Sequence, residues 1–221
     1  MSSKDFRKKF SHIPVAREGI PYILAAMFTT FITAVLGWGV ITVPLLLVTL
    51  LVGHFFRDPE RMSVAGENEI VSPADGNVIS VRQVKTVLFT GQPALKISIF
   101  MSIFDVHVNR IPVSGTVQGI HYKKGKFLAA NLDQASEQNE QNWLWIKADS
   151  GADIVFTQVA GLIARRIVCW PGIGDRVLQA ERFGMIRFGS RMDVYVPEGS
   201  EVLVSQGQHV YAGETVICRL K

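Results

Sequence analysis

Residues 19–56 form a run of 38 positions without a single Asp, Glu, Lys or Arg. As one helix this run would be about 57 Å long, against a hydrocarbon core of about 30 Å, so the pattern predicts a break. Gly37-Trp38-Gly39 supplies one and divides the run into residues 22–36 and 40–56. These are pieces of about 15 and 17 residues, near the short limit for crossing a bilayer. Pro44 lies near the start of the second piece, and proline is tolerated in a helix's first turn. Beyond residues 57–60 the pattern changes. Short Val- and Ile-rich runs alternate with turn residues, which predicts many short strands. Strands are expected at 77–84, 94–100, 106–111, 115–122, 142–148, 153–159, 163–169, 185–188, 191–196 and 214–220. Helical turns are expected at 102–104 and near 127–132, and the polar stretch 133–142 reads as a loop.

Charge then sets orientation. Lys4, Arg7, Lys8, Lys9 and Arg17 precede the apolar run, and Arg57 and Arg61 follow it. The positive-inside rule places both ends in the cytoplasm and makes the segment a hairpin. The competing readings are one tilted helix with the rest of the chain outside, and a hairpin lying shallow in one leaflet. The expected organisation is a basic cytoplasmic tail (1–19), a membrane hairpin of two short helices (20–56) and a β-domain (57–221) on the cytoplasmic side of the cell membrane. The formal charge of +4 over 221 residues sits mostly in the tail, which carries five Lys and Arg against Asp5 and Glu18. A nucleic-acid surface is therefore not indicated. A hydrophobic fraction of 48% excludes a disordered or collagen-like chain.

Only Cys169 and Cys218 are present, without metal-ligand spacing; they read as buried thiols or a single disulfide, and no metal site is indicated. Two Gly-rich sections bracket the β-domain, at 72–81 and 197–216. The second has the spacing of a barrel-sandwich hybrid, as in lipoyl and biotinyl carriers, but no lysine follows it for cofactor attachment until Lys221. The expected fold class is therefore mainly β, barrel-sandwich-like, with an N-terminal helical hairpin. A non-catalytic, membrane-tethered adaptor built on that fold is one functional reading.

A second reading comes from five ordered segments: SPADG at 72–76, FDVHVNRIPVSG at 104–115, NE at 139–140, ARRIV at 164–168 and RFGSR at 187–191. Together they resemble the short, pyruvoyl-dependent type of the phosphatidylserine decarboxylase family. The resemblance implies a zymogen that cuts itself between Gly189 and Ser190. In a tight turn, Ser190 Oγ attacks the Gly189 carbonyl and turns the peptide bond into an ester, and a glycine there leaves the attack uncrowded. β-Elimination and hydrolysis then leave a pyruvoyl group at residue 190. Its carbonyl condenses with a primary amine and acts as an electron sink, so the serine headgroup loses carbon dioxide and phosphatidylethanolamine results.

The resemblance also assigns residues. Asp75 falls to self-processing, although Asp-Gly alone reads as a turn. His107 falls to decarboxylation, as the group that protonates the α-carbon. Apart from the resemblance, Asn139 and Glu140 in the polar loop are expected at the headgroup, and of Arg165 and Arg166, which point to opposite faces of an alternating strand, at most one, taken as Arg165, is expected at its phosphate. The family's second histidine, three residues after the first, falls on Arg110, which stays protonated and cannot act as an ordinary base. Either His107 serves both steps or another group, such as His121, helps. The expected partners are a phospholipid substrate, the membrane, the cleaved fragment 190–221 and a second copy of the chain, a dimer by resemblance. An ether lipid such as archaetidylserine is the alternative substrate, because the chemistry involves only the headgroup.

Overall fold

The computed structural model describes residues 14–63, 65–130, 135–162, 167–187 and 189–221. The chain divides into two compact units, Met1–Glu60 and Arg61–Lys221. In the first, a 3-10 turn over Arg17–Gly19 leads into α1 (Ile20–Val35), and α2 (Gly39–Phe55) follows. The break falls where expected: Gly37 has a φ of 74°, a left-handed conformation that glycine adopts without penalty. The helices pair as a hairpin, with the Thr30 and Thr49 hydroxyls 2.9 Å apart. At the open end the Ala16 N–H donates to the Phe56 carbonyl at 2.7 Å and the Asp58 N–H to the Pro14 carbonyl at 2.8 Å. The stretch Arg17–Val35 is long and apolar enough to cross a membrane by length and composition, and α2 is a shorter apolar helix. Large apolar side chains, among them Phe28, Phe31, Leu47 and Leu50, are exposed along both helices.

The second unit is mainly β. In chain order it contains β1 (Glu69–Val71), β2 (Gly76–Val84), β3 (Ala94–Met101), β4 (Val108–Arg110), β5 (Gly115–Lys123) and a short helix α3 (Ala135–Gln138). It continues with β6 (Gln141–Ala148), β7 (Asp153–Ala160), β8 (Ile167–Cys169), β9 (Arg176–Val177) and β10 (Arg182–Ile186). The last strands are β11 (Ser190–Pro197), β12 (Glu201–Val202), β13 (His209–Val210) and β14 (Val216–Arg219). Eight of them form one antiparallel sheet in the order β13-β2-β3-β11-β7-β6-β5-β9, and two three-stranded sheets run β1-β14-β12 and β4-β10-β8. Alternation along the central strands puts Ile97, Ile99, Met101, Phe156, Met192 and Val194 into the main core. The opposite face is also covered: Tyr195 and Val155 pack there with Val87 and Phe89, and Trp143 stacks on Tyr195 at 5.2 Å.

Two expectations change, and the thiol reading of the cysteines holds. The strand expected at 106–111 shortens to Val108–Arg110, because Asp105 is committed to a turn, its carboxylate accepting the Ser102 N–H and hydroxyl, each at 2.7 Å. The polar stretch 133–142 contains α3 and the start of β6. Both cysteines are free thiols, and burial pushes the Cys218 thiol up to about 11.

Candidate active site

Ser190 opens β11, the strand held between β3 and β7. Its cross-strand partners are Met101 on one side and Ala160 on the other. The side chain is fully buried, and its Oγ has no hydrogen-bond partner among the described residues. A buried hydroxyl left in that state costs about 1–3 kcal/mol. Gly189, just before it, has a φ of 56°, so the chain enters β11 through a left-handed turn. A Cβ on Gly189 would meet nothing within 4 Å. The left-handed conformation by itself favours glycine here.

His107 leads into β4, which pairs with β10 at Val108 and Met185. β10 in turn runs toward the turn that carries Gly189. The imidazole is fully buried, and its Nδ1 lies 2.9 Å from the Asp105 carbonyl. A carbonyl only accepts, so the proton is on Nδ1 and Nε2 is the basic nitrogen of the neutral ring. Asp75 stands at the start of β2. Both of its carboxylate oxygens are taken by Arg61, with Nη2 at 2.8 Å from Oδ2, and Oδ1 also accepts the Ala212 N–H at 2.8 Å. The neighbouring Gly76 backs onto β3, where a Cβ would lie 2.1 Å from the Phe100 carbonyl oxygen. This close approach brings the Asp75-Gly76 turn to Met101, the partner of Ser190. Arg110 is buried and donates from Nη1 to the Ala180 carbonyl at 2.9 Å. His121 is exposed on β5, three strands from β11, and is not brought to Ser190.

Asn139 and Glu140, expected at the headgroup, make contacts within the fold. Asn139 is fully buried. Its Oδ1 accepts the Leu128 N–H at 2.9 Å, and its Nδ2 donates to the Leu128 and Ala160 carbonyls at 2.8 and 2.7 Å. Glu140 accepts the Ala160 N–H through its backbone carbonyl at 2.9 Å. Burial, together with a hydrogen bond to the Glu140 side chain, pushes the Tyr122 hydroxyl up to about 12. Arg165 lies outside the described residues.

Sequence reasoning missed a charged cluster beside Ser190, on the opposite face of β11. Arg191 and Asp193 are both buried, with Arg191 Nε 2.9 Å and Lys96 Nζ 2.9 Å from the Asp193 carboxylate, and Arg191 also donates to the Ala130 carbonyl at 3.1 Å. Burial raises the Asp193 pKa, but Lys96 and Arg191 outweigh it and hold the carboxyl below its ordinary value. Burial also pulls the Lys96 ammonium down, against the attraction of Asp193. The signal was present in the strand pattern: charges at 191 and 193 share one face of β11, and Lys96 stands opposite Tyr195 on the adjacent strand. A second missed pair is His209 with Asp105, at 3.0 Å.

The arrangement defines a class: a β-domain in which a Gly-Ser turn opens a central strand with the serine buried, and a buried histidine stands just before a strand of a second, three-stranded sheet. The family profile described as phosphatidylserine decarboxylase matches residues 48–218. A phosphatidylserine decarboxylase proenzyme of Syntrophus aciditrophicus (strain SB) is 50% identical over 202 residues, covering 91% of this chain and 95% of the relative. That of Geotalea uraniireducens (strain Rf4) is 48% identical over 204 residues, covering 92% and 95%, and that of a Wolbachia from Brugia malayi (strain TRS) is 44% identical over 215 residues, covering 96% and 93%. The chain belongs to the phosphatidylserine decarboxylase family, and it is an enzyme, a carboxy-lyase.

Proposed function

We propose that the chain cuts itself between Gly189 and Ser190 and then decarboxylates phosphatidylserine to phosphatidylethanolamine. The observation that carries this reading is the buried Ser190 Oγ, without a hydrogen-bond partner among the described residues and placed directly behind a left-handed glycine. Ser190 Oγ attacks the Gly189 carbonyl carbon, the C–N bond breaks, and the hydroxyl proton ends on the freed amine. Loss of the Ser190 α-proton and of the Gly189 carboxylate leaves dehydroalanine, and its hydrolysis releases ammonia. A pyruvoyl carbonyl at residue 190 supplies an electrophile for a primary amine and a sink for the electrons released with carbon dioxide.

The chain's other residues position and move protons. With Arg110 unable to act as a base, His107 Nε2 takes the hydroxyl proton during self-cleavage and later returns a proton to the carbon that lost the carboxylate. Asp75, tied to Arg61, fixes the turn that abuts Met101 and so holds the strand opposite Ser190 in place. Arg165 meets the phosphate. The helical hairpin keeps the enzyme at the bilayer where a two-chain lipid resides, and the basic residues before and after it favour a cytoplasmic β-domain. The purified full chain, given phosphatidylserine in detergent micelles, is expected to release carbon dioxide in proportion to the phosphatidylethanolamine formed. A fully cleaved preparation that releases none would overturn the decarboxylase reading.

A further inference from the structure

The carbonyl oxygen of Gly189 rests against the α-carbon of Gly161, the residue that follows β7. A Cβ on Gly161 would lie 1.8 Å from that oxygen, 2.9 Å from the carbonyl carbon and 3.2 Å from Ala130 Cβ. The first two atoms are backbone, so no rotamer change relieves the overlap, and Ala130 closes another way out. The seat itself is fastened. Ala160 pairs with Ser190, its N–H donates to the Glu140 carbonyl at 2.9 Å, and its own carbonyl accepts Asn139 Nδ2 at 2.7 Å. Asn139 also grips Leu128 through both its N–H and its carbonyl, two residues before Ala130. One buried amide thus holds both walls around the Gly189 carbonyl.

We propose that Gly161 is a positioning residue for self-cleavage: its bare α-carbon seats the Gly189 carbonyl so that the carbonyl carbon is presented to Ser190 Oγ, and Asn139 and Glu140 hold the seat in place. The proposal rests on Gly189–Ser190 being the bond that is cut. As Oγ bonds to the carbon and the C–N bond breaks, the carbonyl oxygen has to remain where it started. A methyl at 161 moves it by more than the attack tolerates, and a misplacement of about 1 Å costs about 100-fold in rate.

The test follows cleavage of the full chain by gel and intact mass, with and without hydroxylamine, which cuts an ester but leaves this peptide bond alone. Gly161→Ala is expected to cleave at least about 100-fold more slowly, and hydroxylamine should release no fragment from it, because the ester has not formed. The melting temperature of Gly161→Ala/Ser190→Ala against Ser190→Ala reports whether the fold survives. Asn139→Asp, which keeps the acceptor for the Leu128 N–H but loses the donor to the Leu128 and Ala160 carbonyls, is the second variant, and slower cleavage is expected there too. Cleavage of Gly161→Ala at the wild-type rate, or full release of residues 1–189 by hydroxylamine, would overturn the proposal. If the alanine variant does not fold, wild-type cleavage in Asn139→Asp overturns it instead. A wild-type chain never cut at this bond is a separate outcome, and it removes the cleavage reading on which the proposal stands.

Discussion

Replacing Ser190 by alanine is expected to leave an intact 221-residue chain with no decarboxylase activity. The substitution removes the one atom that can become the ester oxygen, and with it the only route to a carbonyl at residue 190. The loss of function should not come with a loss of fold. Ser190 Oγ is buried without a partner among the described residues, so its removal takes away an unsatisfied group and keeps the Cβ. The uncleaved alanine variant should be at least as stable as uncleaved wild type, by up to about 1–3 kcal/mol. Thermal or denaturant unfolding measured beside the activity assay checks both halves. An alanine variant that still decarboxylates would mean that the carbonyl chemistry resides elsewhere.

Replacing His107 by glutamine is expected to act on the reaction after the chain has been cut as well as before. Glutamine fills much of the buried site, and its amide N–H can still donate to the Asp105 carbonyl, so the turn at 102–107 should hold. What disappears is a nitrogen able to take up and return a proton. Per cleaved chain, kcat should fall by about 10²–10⁴-fold, the usual contribution of a positioned acid or base, and self-cleavage should slow as well. Normalising activity to the fraction of cleaved chain separates the two effects. Unchanged turnover in the cleaved fraction would assign His107 a structural part only.

The sequence carried the hairpin clearly, because 38 uncharged residues allow few alternatives and Gly37-Trp38-Gly39 marks the one place where the run can turn. It carried most strands through their alternation. The two-residue strands at Glu201–Val202 and His209–Val210 were not legible, since so short a piece has no period and is defined only by its partner. The burial of Lys96, Arg191 and Asp193 was not legible either, because alternation along one strand does not show that both faces of the central sheet are covered. Asn139 and Glu140 were recognisable as residues of interest. Their attachment to Ala160 depends on which strand lies beside β11, which no local pattern reveals. Gly161 looked like any loop glycine, and only the fold shows the Gly189 carbonyl lying against it.

The account turns on what has become of the bond between Gly189 and Ser190, and the intact mass of the purified protein reports on it directly. Two chains are expected, one ending in a free carboxylate at Gly189 and one covering residues 190–221 whose N-terminal residue is a pyruvoyl group, closed to Edman chemistry and shifted by two mass units on borohydride reduction. An active preparation composed only of the unbroken 221-residue chain would contradict it.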